Sequence, residues 1–310
     1  MHSKHRVLIA CIIIFFALLC LIAAVSCRQP QSSAIRILVS TEKSDRLDLA
    51  VHGSIHLRSA ALSPGSFHID LRNGSLSLYD SENNRVASGN SITLISGDSD
   101  GFVKICNSLY GNTCYQGQIR IFSDDTGHIG VVVTVPAEDY VKSVVCYCGC
   151  SMPDEAIKAL AVITENYAAA CSGSDSSFDV SDIDYPFAGL LSDADAYLPA
   201  MQDVLKDRLV PHGSYRYPAL CGSNCGVYRI IPLSADAFPS ETEDRYDSLY
   251  TALPSGLSAQ PSGSCISVES LRARAEAGHS YEQILSFYFP YASLVHGNHA
   301  VDLSDYADPE

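Results

Sequence analysis

Tryptophan is absent from this chain of 310 residues, methionine occurs three times, and positive charge is scarce. Lys and Arg number 20 against 35 Asp and Glu, a formal net charge of −15. That shortage excludes a nucleic-acid binder, because phosphate contacts need clustered Lys and Arg. No internal repeat is present, which sets repeat architectures aside. Charged residues make up only 18% of the chain and hydrophobic residues 47%, so the composition is globular and not disordered. The length holds one large domain or two modest ones. Long apolar runs are also lacking, with one exception at the N-terminus.

That exception runs from Val7 to Val25, behind Lys4 and Arg6. About 19 residues suffice to span a bilayer and exceed most signal-peptide cores. The preceding positive residues keep the N-terminus cytoplasmic and place the rest outside. Three readings follow. The run length favours an uncleaved anchor; Ala24-Val25-Ser26-Cys27 resembles a bacterial lipoprotein cleavage site; simple secretion is the third. All three make the domain extracytoplasmic, and the reading adopted is attachment to the membrane through this segment.

Cys11 and Cys20 lie in the apolar run and Cys27 at its edge. The other nine are Cys106, Cys114, Cys146, Cys148, Cys150, Cys171, Cys221, Cys225 and Cys265. Outside the cytoplasm most should form disulfides, and an odd number leaves one thiol over. Cys106 and Cys114 flank a turn-like segment, so a hairpin-closing bond is expected there. Cys146, Cys148 and Cys150 alternate, and in an extended chain would share one face. Bonds to Cys171, Cys221, Cys225 or Cys265 are the structural reading. A zinc or other thiolate site drawn from Cys146, Cys148, Cys150 and Cys171, or completed by Cys225, is the sharper alternative.

The expected plan is a signal sequence or anchor over 1–27, a polar linker over 28–34, a β-rich lead-in over 35–122, a core over 123–295 and a loose acidic tail over 296–310. In the lead-in, β-branched or alternating runs at 35–39, 47–51, 55–57, 67–71, 76–79, 92–95 and 102–105 are separated by turn signals such as Pro64-Gly65 and Asn73-Gly74. Ile129 to Val135 is a near-continuous apolar strand suited to a buried position. Later helices are expected over 196–209, with Ala200, Met201, Val204 and Leu205 inward, and over 267–277. Ser280 and Gln283 form a capping box for a last helix through Tyr288. A strand is expected over 227–231. The fold class is α+β: a β-rich first half, then a mixed part with three or four helices.

The best helix begins at Asp154. Ile157, Leu160, Ala161, Thr164, Ala168 and Cys171 recur on one face, and Ser151 with Asp154 resembles a capping box. The surrounding stretch carries Glu138-Asp139-Tyr140, Val144-Val145, Met152-Pro153, Glu155-Ala156-Ile157-Lys158-Ala159, Ala161-Val162 and Tyr167-Ala168. Flanking it are YQGQIRI over 115–121, Phe178-Asp179-Val180, and AEAGHSYEQIL over 275–285. In this order the segments resemble the stage II sporulation protein D family, whose domain is shared with the LytB amidase enhancers. The resemblance runs from about Ile35 to Leu294 and implies lytic cleavage of peptidoglycan glycan strands stripped of their peptides. With no Trp, the 17 Tyr are the aromatic rings open to a carbohydrate-facing surface, though core and strand filling is their commoner use.

Such cleavage needs a carboxylic acid to protonate the glycosidic oxygen. The family supplies a Glu, whose position falls here on Cys148 or Ser151. A thiol or hydroxyl is badly matched to donating that proton near neutrality. The second family motif falls on 261–271, where its His and Gln become Ser262 and Val268 and only Gly263 and Ser267 survive. An Arg of the family pattern falls on Glu165, a charge reversal. The candidate replacement acids are Glu155 and Glu138, and the residues the resemblance assigns to substrate are Tyr147, Gly263 and Ser267. The expected function is therefore a wall-associated protein with a degenerate domain that binds glycan strands or modulates a wall hydrolase such as an amidase. The alternatives are an active lytic transglycosylase with a relocated acid and a thiolate metal-site protein.

Overall fold

Alternation of apolar and polar residues builds the first half of the protein. In the computed structural model the described residues are 34–306, apart from 40, 42–43, 58–59, 98, 109–110, 125–126, 150, 174–176, 190–193, 213–218 and 222–264. Eleven strands come first: β1 (Ala34–Val39), β2 (Arg46–His52), β3 (Ile55–Leu57), β4 (Ala60–Leu62), β5 (Gly65–Arg72), β6 (Ser75–Asp80), β7 (Arg85–Gly89), β8 (Ser91–Ser96), β9 (Phe102–Ser108), β10 (Gly111–Tyr115) and β11 (Gln118–Ser123). Every second side chain turns inward, as with Ile35, Ile37 and Val39 on β1 or Leu47, Leu49 and Val51 on β2.

Two larger sheets result. With β12 (Ile129–Pro136) and β13 (Val180–Ser181), one has the order β13-β1-β12-β11-β8-β3-β4; the other has the order β10-β9-β2-β5-β6-β7. They meet where β6 lies against β8 and β11. On β12, Val131, Val132 and Val133 are all buried, as the continuous apolar run requires of a strand covered on both faces. Residue 122 lies within β11, which pairs antiparallel with β12 in one sheet.

Five helices are described: α1 (Ala137–Cys148), α2 (Asp154–Cys171), α3 (Leu198–Met201), α4 (Val268–Glu276) and α5 (Tyr281–Tyr288). The fold class is α+β, as expected. Helix α1 stands where no helix was expected, and it removes the shared face that an extended Cys146–Cys150 would have had. Tyr140, Val141, Val144, Val145 and Cys148 are buried at helical spacing, and α1 packs on β12 and β1. Ser151 does not cap α2. It sits at φ 61° in the link, and Pro153 takes the cap position with no side-chain bond. Gly149 closes α1 where a Cβ would lie 2.5 Å from the Val145 carbonyl oxygen.

Helix α2 is buried over most of its 18 residues and contacts α1, α3, α4 and α5. The helix expected over 196–209 is shorter. A 3-10 turn (Ala194–Tyr197) and the single turn α3 precede β14 (Arg208–Pro211). Asn166 of α2 takes the Leu209 N–H, and β14 pairs with β17 (Ala292–His296), which removes the donors a longer helix needs. Strand β18 (His299–Asp302) pairs with β17, and a 3-10 turn (Leu303–Tyr306) buries Leu303. The described part of the expected loose tail is thus folded, because one leucine anchors it. The capping boxes fared unequally: at α5 the Ser280–Gln283 box is present in full. A short parallel pair, β15 (Ala219–Cys221) and β16 (Cys265–Ser267), leads into α4. The strand expected over 227–231 lies outside the described residues.

Candidate functional site

The residues of the matching motifs are mostly scaffold. Tyr140 is fully buried, its ring 5.9 Å from Phe187, which also lies 5.8 Å from Tyr115. Tyr167 stacks on Tyr185 at 4.0 Å and sends its hydroxyl to Asp184 at 3.3 Å. Asp179 is a clamp. It accepts from Arg36 N at 2.9 Å, Nε at 3.0 Å and Nη2 at 2.6 Å, fastening β13 beside β1. Burial works to raise its pKa, but the Arg36 bonds win and hold the carboxyl below its usual range.

Neither family acid position faces solvent as an acid. Cys148 is 0% exposed at the end of α1. Ser151 is exposed but carries only a hydroxyl. The candidate replacement acids are engaged elsewhere. Glu155 accepts from Lys158 Nζ at 2.6 Å with Oε1 and from the Tyr281 N–H at 2.7 Å with Oε2, so it caps α5 from α2. Glu138 is exposed in the first turn of α1 and pairs with Lys142 at 2.8 Å.

Tyr147 is half-buried against the core, and Ser267 is the buried N-cap of α4, accepting from Ser270 N–H at 3.2 Å. Ser267 thus has a structural task; Gly263 lies outside the described residues. So do Cys150 and Cys225. Because α1 is helical through Cys148, the side chains of Cys146 and Cys148 diverge by roughly 200° about its axis and do not share a face. Cys171 neighbours Tyr167, and burial pushes its thiol upward. Among the described residues no three His, Cys, Asp or Glu side chains converge to hold a metal. Cys106 and Cys114 carry free thiols, contrary to the expected bond. The hairpin exists, but its register sets Cys114 opposite Lys104.

A polar cluster unmarked by any motif lies where α2, α5, β14 and β17 meet. Asp207, just before β14, has a side chain only 1% exposed. Its Oδ1 accepts from His296 Nδ1 at 2.6 Å and its Oδ2 from the Tyr281 hydroxyl at 3.2 Å. Asn166 ties the same corner to α2: its Nδ2 donates to the Asp207 carbonyl at 2.9 Å, and its Oδ1 accepts the Leu209 N–H at 2.8 Å. Burial raises the Asp207 carboxyl, against the pull of His296 and Tyr281.

Beside Asn166 stands Glu165, whose Oε2 is buried with no hydrogen-bond partner. Burial, reinforced by the negative charges of Asp207 and then Glu138, pushes its carboxyl up to about 7. Its one signal in the sequence was the charge reversal against the family pattern. Asp207 gave none, because its neighbours read as helix.

A model of the SpoIID family, described as stage II sporulation protein, matches residues 125–187. The match takes in β12, α1, α2 and β13; the similar stretches at 115–121 and 275–285 fall outside it. No curated protein and no solved structure matches the chain. That segment, two helices flanked by two strands of one sheet, is where the chain is similar to the SpoIID family.

Proposed function

We propose that this is an extracytoplasmic, membrane-attached protein that binds peptidoglycan glycan strands, or modulates a partner wall hydrolase such as an amidase, without cleaving glycan at a family-like rate. The observation that carries this reading is the state of the two acid positions. Cys148 is sealed in the core and Ser151 is a turn residue, so no carboxylic acid stands where the family donates its proton. General acid–base catalysis contributes about 10²–10⁴-fold, and its loss leaves little turnover. The test is incubation of the full chain with peptide-free glycan strands, followed by co-sedimentation and product analysis. Binding with intact strands supports the reading; abundant 1,6-anhydro ends overturn it.

A second reading, turnover by a relocated acid, is favoured by one observation. Burial pushes the Glu165 carboxyl up to about 7, so a share of it holds a proton near neutrality, as a general acid requires. Glu155 and Glu138 are poorer candidates, each bonded to a lysine. If anhydro ends appear, Glu165→Gln should abolish them while Glu155→Gln and Glu138→Gln leave them.

A further inference from the structure

We propose that His296 and His299 form a surface site for one divalent transition-metal ion, with Asp207 behind it as the carboxylate that orients His296. The site is a row across three strands. The register of β14 on β17 sets Arg208 opposite Val295, so one step further Asp207 comes beside His296. A bond from His296 Nδ1 to Asp207 Oδ1 at 2.6 Å fixes that end of the row. At the other end, β17 and β18 pair His296 with His299. A two-residue turn, Gly297-Asn298, joins the pair, with Gly297 at φ 58°.

Pairing puts both imidazoles on one face of the sheet. It is the face of buried Leu294, and the row lies at its open end, where 61% of the His296 side chain is exposed and His299 is exposed too. Directly opposed residues hold their Cβ atoms about 4.5–5.5 Å apart. From that spacing two imidazole nitrogens reach one ion at about 2.0–2.1 Å each. Imidazole suits zinc, copper and nickel. Two protein nitrogens leave the remaining positions to water or to an oxygen ligand.

Asp207 supplies what a lone surface histidine lacks. Its carboxylate accepts the Nδ1–H, so the neutral ring carries its lone pair on Nε2, where an ion binds. The carboxylate is itself held in place. Its side chain is 1% exposed, its Oδ2 accepts from the Tyr281 hydroxyl at 3.2 Å, and its backbone carbonyl accepts from Asn166 Nδ2 at 2.9 Å. The His296 ring is thereby aimed in advance, which spares binding the cost of ordering it.

The charges around the row favour a cation. Glu282 of α5 acts on both Asp207 and Tyr281, so two carboxyls stand behind the imidazoles. Of the two cations next to Asp207 in the chain, Arg208 lies across from Val295 and so on the other face of the sheet. Lys206 is exposed and is set against those two carboxyls.

Nickel alone is the probe, titrated into the full chain while the histidine ring resonances are followed by NMR. The rings of His296 and His299 should broaden together, over one range of nickel concentration. In His299→Gln, the nickel needed to broaden His296 should rise roughly tenfold or more, at least the loss seen when an outer carboxylate is removed from a metal site. His299 is exposed, so this change opens no core. Broadening of one ring without the other, or an unmoved His296 response in His299→Gln, would overturn the site. Glycan is absent from the mixture, so this site and the wall-binding reading fail separately.

Discussion

Two ends of one helix carry opposite kinds of information. At its N-terminal end, α2 follows the motif-rich link from α1, and the structure there is apolar: Val144, Val145, Cys148, Ala156 and Ile157 pack into one core. Towards its C-terminal end, Asn166 bonds the backbone of Asp207, whose carboxyl holds His296 and Tyr281 in a polar corner that no motif announces. The difference teaches that a matched motif certifies a scaffold. Chemistry needs particular side chains at particular positions, and here the acid positions have been absorbed into the core and a turn.

The comparison can be broken most forcefully at Cys148. Cys148→Glu restores a carboxyl to the family position but buries it among Val141, Val144 and Val145. An unpaired charge in such a place costs more than about 4 kcal/mol, so denaturant melts should show severe loss of stability and no gain of turnover. A folded, active variant would show that this end of α2 still holds a site.

Asn166→Ala addresses the polar end. It leaves the Leu209 N–H without its bond and removes a donor from the Asp207 carbonyl, for a loss of about 3 kcal/mol in the same melts. A loss below about 1 kcal/mol would mean the polar corner does not hold the C-terminal strands. Asp179→Ala removes three charge-assisted bonds at a partly exposed pair, and about 2 kcal/mol is expected. Because the Asp179 carboxyl is held low, that stability is present above the ordinary carboxylate value of about 3.9 and lost as pH falls below it. Wild type and Asp179→Ala should therefore converge in acid. Ser280→Ala is the mildest, losing one helix cap at about 1 kcal/mol.

Much of the fold was legible. Strands with strict alternation, such as β2 and β5, fell where the pattern put them, because one buried face fixes the register. The Ser280–Gln283 box marked the last helix, and the helix expected over 267–277 is present over Val268–Glu276 with Ser267 as its cap. Helix α1 was missed because its cysteines drew attention to alternation, whereas Tyr140, Val144 and Cys148 carry the helical period. Strand β14 was misread because Val204 and Leu205 continue a helical pattern, and only a distant partner, Asn166, stops it. The same cause hid the polar corner. Its residues lie 41 positions apart between Asn166 and Asp207 and 89 between Asp207 and His296, so no local spacing encodes them.

The proposed absence of family-like turnover is tested most directly by the fate of peptide-free glycan strands mixed with the full chain. Strands that co-sediment with the protein and keep their original ends at neutral pH are the predicted result. Strands cut to fragments with abundant 1,6-anhydro ends by the unmodified protein would contradict it.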